Sequence, residues 1–77
     1  MDIYYFTVHA EKTNPKSLVP FGKLKFQSRG YKNQGMAKMQ AARKRIVPTD
    51  IVTIYCSSGF LAYPVLRKVG VGEWKKP

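Results

Sequence analysis

Residues 23–28, Lys23-Leu24-Lys25-Phe26-Gln27-Ser28, alternate strictly between polar and apolar side chains, and Gly30 ends the run. A period of two marks a strand with one face buried. Beyond Gly30 the period changes. Met36, Met39, Arg43 and Ile46 fall at i, i+3, i+7 and i+10, with Ala37, Ala41 and Ala42 between them as strong helix formers. That spacing predicts a helix over 32–47 with the Met36–Met39–Ile46 stripe turned to the core. Arg43 lies on the stripe, so its stem is expected to run over the core edge. Asn33 suits the N-cap, and Gly35 costs the first turn about 1 kcal/mol relative to Ala. Arg43, Lys44 and Arg45 crowd the last turn, where the helix dipole favours cations, and Pro48 is the stop.

The flanking sequence supplies the remaining strands. Ile3 to Ala10 is dense in β-branched and aromatic residues, and the stretch after it is punctuated by Thr13 to Ser17, Pro20 and Gly22. Ile51 to Cys56 reads as a third strand, running through a short Ser57-Ser58-Gly59 loop into a fourth at Phe60 to Tyr63. Pro64 confines that strand to an edge or a bulge, beyond which Val65 to Val69 resumes pairing and Glu73-Trp74-Lys75 adds a short fifth. The order β-β-α-β-β implies a single small α+β domain over 1–77, a mainly antiparallel sheet with one helix packed on one face. Tyr4, Phe6, Val8, Leu24, Phe26, Val52 and Ile54 are assigned to the helix side. Alternation then puts Tyr5, Thr7, His9, Lys23, Lys25, Gln27, Thr53 and Tyr55 on a face left open to solvent or a partner.

Length and charge set the class. The chain has 77 residues, with 14 Lys and Arg against 4 Asp and Glu, a net charge of +10. One domain is the expectation, burying about 60% of the surface its unfolded chain exposes. A multi-domain enzyme, a transmembrane helix and a disulfide scaffold are excluded, since no apolar run is long enough to span a bilayer and Cys56 is alone. A lone cysteine and an N-terminus without a signal-peptide pattern fit a reducing cytoplasm. A charge of +10 exceeds the magnitude of about 2–8 that serves solubility in a small domain, and it attracts polyanions. No lipidation signal or amphipathic membrane helix is evident, so a membrane partner is not expected.

Catalytic chemistry finds little support. The one nucleophile–base pair available is Cys56 with His9, and alternation places them on opposite faces of the sheet. Asp2, Glu11, Asp50 and Glu73 are dispersed at ends and turns, and Asp50 reads as a turn former after Pro48-Thr49. One Cys and one His cannot build a zinc site, and Gly70-Val71-Gly72 opens no helix to hold a phosphate. No enzyme activity, cofactor or small-molecule substrate is expected.

The residues expected to bind form three groups. Lys23 and Lys25 share the open face with Tyr5 and Tyr55, the composition of a base-stacking platform. Lys32, Lys38, Lys44 and Arg45 form a basic ridge on the helix. Arg67 and Lys68 form a third cluster near Trp74, which is either a cap closing the sheet or an exposed interface anchor. The expected partner is nucleic acid or a protein–nucleic acid complex. A sequence-tolerant DNA- or RNA-binding module and a basic subunit of a larger nucleoprotein particle are both consistent with this composition. A homodimer is a further way to cover the open face.

Over most of residues 3–75 the chain resembles small phage-encoded anti-CRISPR-type inhibitor proteins. The resemblance lies in a helix bearing Lys38, Arg43, Lys44 and Arg45, the strand Ile51–Cys56, the segment Gly59-Phe60-Leu61-Ala62-Tyr63, and a late Trp74. It implies a basic inhibitor that docks on an RNA-guided surveillance complex where nucleic acid should lie, in the cytoplasm of a host cell.

Overall fold

In the computed structural model, which describes residues 2–77, five elements follow one another: β1 (Ile3–His9), β2 (Leu24–Gln27), α1 (Gln34–Arg43), β3 (Ile51–Ser58) and β4 (Leu61–Val69). The strands form one antiparallel sheet in the order β2-β1-β3-β4, giving the expected α+β domain with one helix. Among the described residues no helix is long and apolar enough to cross a membrane.

The two central strands pair without interruption from Ile3↔Ser57 to His9↔Ile51. This register lines Phe6 and Val8 up with Ile54 and Val52, and α1 adds Ala37 and Ala41 to complete the buried core. The helix therefore does not present the methionine stripe to the sheet. Ala37 and Ala41, one turn apart, face it, while Met36, Met39 and Arg43 are exposed. The sheet supplies the large side chains, and two methyl groups let the helix approach closely; a Met stripe would hold it off. Asn33 is the N-cap, its Oδ1 accepting from the Met36 N–H at 2.8 Å.

Helical pairing stops at Arg43, well before Pro48. At about 100° per residue, a continued helix would carry Ile46 to the side opposite Ala37. Extended backbone at Lys44 (ψ 131°) instead lets Ile46 fold back onto the core.

Two bulges alter the expected alternation. Val8 pairs with Phe26 but His9 pairs with Leu24, so Lys25 is an extra residue in β2. The bulge moves Leu24 off the helix side to partner His9, half exposed, and re-aims Lys25 toward Asp50. In β4, Ile54 pairs with Leu66 and Tyr55 with Pro64, so Val65 is the extra residue. Pro64 thus lies both on an edge strand and at a bulge.

The second sheet face is closed at its His9 end, while Tyr5 and Tyr55 stay half-buried. Phe21, from the long β1–β2 loop, stacks on His9 with ring centroids 4.0 Å apart, and Thr7, His9, Ile51 and Thr53 are buried. An open face would leave His9 half exposed; the loop, tied down by Ala10 N–H to Lys23 and Gly22 N–H to Ala10, covers it. The final residues return beside β4, where Arg67 and Lys75 exchange two 2.8 Å backbone hydrogen bonds, an isolated bridge in place of a fifth strand.

Candidate polyanion-binding surface

Register sorts the sheet into two ends. His9, Leu24, Ile51 and Val69 stand at one, and Ile3, Ser57 and the β3–β4 turn at the other. The helix enters near the second end, where Tyr31 and Tyr4 exchange backbone hydrogen bonds, and leaves near the first, where Lys44 reaches Phe26. Lys23, Lys25, Lys44, Arg45, Arg67 and Lys68 consequently gather toward the His9 end. Lys32 lies at the opposite end beside the N-cap, and Lys38 is half-buried along the helix flank.

Beside the helix exit, Lys25, Lys44 and Arg45 line a cleft of about 340 Å³ whose apolar wall is Val8, Phe26, Ile46 and Val47. The Lys44 ammonium sits 3.7 Å from the Phe26 ring centroid. Asp50 is the one acid in this cleft. Burial pushes its carboxyl up, but two hydrogen bonds from Lys25, the Val47 N–H and the Lys25 charge outweigh that and hold it below the ordinary range. Lys44 and Arg45 therefore face no carboxylate that is not already partnered.

Across the sheet, Arg67, Lys68, Lys75 and Lys76 border a groove of about 370 Å³, with Glu73 as its one acidic wall. Arg67 is on the second face, as its pairing with Thr53 requires; its Nε donates to Thr53 Oγ1 at 3.2 Å and its guanidinium lies 5.8 Å from the Phe21 ring. Lys68 points to the helix side, 4.8 Å from the Trp74 ring. Trp74 packs against the core and is the cap rather than the free anchor.

The expected stacking platform does not form. Tyr5 and Tyr55 pair across β1 and β3 with their rings against each other, 5.2 Å apart and 14° from parallel. Burial, and then the neighbouring Tyr55, raise the Tyr5 phenol above its usual value. Lys25 has left that face through the bulge. Cys56 is buried on the helix side while His9 is on the other, so the two do not meet.

Cations here are partnered by rings more than by acids. Among the described residues the single ion pair is Lys25–Asp50, whereas Arg29, Lys44, Arg67 and Lys68 each sit over an aromatic ring. The closest is Lys44 over Phe26 at 3.7 Å, and the other three lie 4.8–5.8 Å from their ring centroids. Sequence reasoning does not single out Phe21 or Phe26 as a partner of cations. Neither carries a local signal: Phe26 reads as core by alternation, and Phe21 sits in a Pro-Phe-Gly turn whose landing place is set by the whole loop. No family model matches the chain, and no curated protein or solved structure is found similar to it.

Proposed function

We propose that this protein is a non-enzymatic binder of the nucleic-acid phosphate backbone, which it engages through the basic end of the sheet. The observation that carries the reading is the lack of acidic partners: of fourteen Lys and Arg residues, Lys25 alone reaches a carboxylate among the described residues. An ammonium or guanidinium resting on a ring keeps its charge and gives up little to turn toward a phosphate. The two basic clefts flank the sheet, on the β2 and β4 sides, so a polyanion crossing this end meets cations from both. The mutual stacking of Tyr5 and Tyr55 favours contacts with phosphates over contacts with bases.

The test is titration of labelled duplex and single-stranded DNA and RNA at several salt concentrations. Neutralising about five phosphates predicts a slope near −4.5 in log K against log salt for duplex DNA. No binding at 50 mM salt, or binding indifferent to salt, would overturn the reading.

One observation favours a second reading. Met36 and Met39 lie exposed on one flank of the helix, where adaptable thioether side chains suit a protein surface. On this reading the basic end occupies the nucleic-acid path of a nucleic-acid-handling complex, such as a CRISPR surveillance complex, and inhibits it, with Met36 and Met39 touching protein. Met36→Gln with Met39→Gln, which alter no charge, would then abolish capture of the complex and leave DNA affinity unchanged.

A further inference from the structure

Phe26 stands in the wall of the cleft beside the helix exit, half-buried. The buried Phe6 packs against it, with ring centroids 5.7 Å apart and planes tilted by 38°, which fixes the ring in place. On the cleft side its cover is the Lys44 ammonium, 3.7 Å from the centroid. Lys44 is exposed, stands where helical pairing ends, and reaches no carboxylate among the described residues. An apolar side chain at position 44 would shield the ring as well and bring no charge. The cover is a removable one, because a cation on an exposed ring is held more weakly than a stacked base.

We infer that this cleft takes one unpaired nucleotide of a bound strand: its base displaces the Lys44 ammonium and stacks on Phe26, while Lys44 and Arg45 meet its phosphate. The inference rests on the phosphate-backbone reading of the basic surface and names the part of the nucleic acid that this cleft holds. Lys25, Lys44 and Arg45 face a single acid here, Asp50. That carboxylate is already engaged by Lys25 and the Val47 N–H, which leaves Lys44 and Arg45 to an anion from outside. Phe26, Ile46 and Val47 supply the apolar side of the same cleft. Its volume of about 340 Å³ is at the small end of the range for ligand sites, about 300–1,000 Å³, and suits one nucleotide rather than a run of them.

That combination selects a flat ring joined to an anion. An acyl chain needs apolar surface all round, whereas cations hold one side of this cleft. A paired base has both faces stacked on its neighbours, so the nucleotide must come from a single-stranded end, an overhang or a bulge. Charge is conserved locally in the exchange: the ammonium that leaves the ring meets a phosphate carried in by the same ligand. Tyr5 and Tyr55, stacked on each other, have no such removable cover.

The experiment uses the full chain and three duplexes with the same paired sequence: one blunt, one with an unpaired adenosine at each 3′ end, and one with an abasic residue there. The abasic residue keeps the phosphate and removes the base. The adenosine overhang should bind about tenfold more tightly than the abasic one. Both should give the same salt slope, because their charge is the same. In NMR spectra the Phe26 ring protons should shift upfield with the adenosine overhang and not with the abasic one. Phe26→Leu should remove the tenfold difference and keep the salt slope; if its melting shows that it does not fold, the shifts in the unaltered protein decide. Equal affinity for the two overhangs, with unshifted Phe26 protons, would overturn the inference. Salt-dependent binding of the blunt duplex would then leave the phosphate-backbone reading standing, whereas failure to bind any of the three would overturn both. A gain from the base that survives in folded Phe26→Leu would put the base elsewhere, and the inference would fall.

Discussion

The Lys25 ammonium lies 2.9 Å from Oδ1 and 3.1 Å from Oδ2 of Asp50, a carboxylate that is itself buried. The same carboxylate accepts the Val47 N–H at 3.0 Å, and the Asp50 carbonyl accepts the Gly70 N–H at 2.8 Å. One residue thereby joins β2, the exit from the helix and the end of β4.

Lys25→Met should lower the unfolding free energy by about 2 kcal/mol in urea titrations. This is less than the 3–5 kcal/mol typical of a fully buried pair because Lys25 remains 43% exposed and partly screened. Asp50 is held below its unfolded pKa, so its stabilising effect is complete above about pH 4 and disappears as pH falls through the folded value. Without Lys25 the carboxyl rises, and the acid unfolding limb should move to higher pH.

His9 has the same sign by another route. Burial first, and the Arg67 charge second, lower its pKa, so the folded state prefers neutral imidazole. Its contribution is complete above about pH 6.5 and is lost as pH drops toward the folded value. Melting temperatures measured from pH 7.5 to 5 should fall, and His9→Gln should flatten that dependence; His9 is the single histidine.

Gly59 and Gly70 both have positive φ but differ in surroundings. A Cβ at Gly70 would lie 2.5 Å from the Pro48 carbonyl oxygen. Gly70→Ala should therefore cost about 3 kcal/mol or more, and Gly59→Ala about 1–2 kcal/mol, from backbone strain alone. Parallel denaturant titrations give both values.

Ala41→Leu should destabilise by about 1–3 kcal/mol through overpacking, since its methyl group already touches the sheet. Met39→Lys, on an exposed flank, should change stability by less than about 0.5 kcal/mol. The reverse ranking would restore the methionine stripe as the core.

Lys44→Gln with Arg45→Gln should reduce the salt slope for duplex DNA by about 1.8, two phosphates' worth. Lys38→Gln, on the half-buried flank away from the basic end, should leave it unchanged.

Much of this fold can be read locally. Period two at residues 23–28, the switch to helical spacing and the Asn33 cap place β2 and α1 without any tertiary information. Local reading fails where distant residues decide. Lys25 is bulged toward a carboxylate 25 positions away. The choice of Ala37 and Ala41 over Met36 and Met39 depends on how much volume Phe6, Val8, Val52 and Ile54 already fill. The cover on the second face comes from Phe21, whose loop has no periodicity to read. Site residues suffer most from these effects, since one bulge removes Lys25 from the face where alternation puts it and one loop closes the platform around His9.

Pro64 bears on how molecules of this protein coexist at high concentration. Between Leu61 and Leu66 the outer side of β4 has no neighbouring strand among the described residues, since the C-terminal arm reaches it at Arg67 alone. Bare strand margins can recruit another chain and seed polymerisation. A proline in the middle of that stretch withholds one N–H, and the extra residue at Val65 bends the margin. The molecule thus keeps an exposed strand without offering a template for fibre growth, and Pro64→Thr should aggregate more readily on concentration.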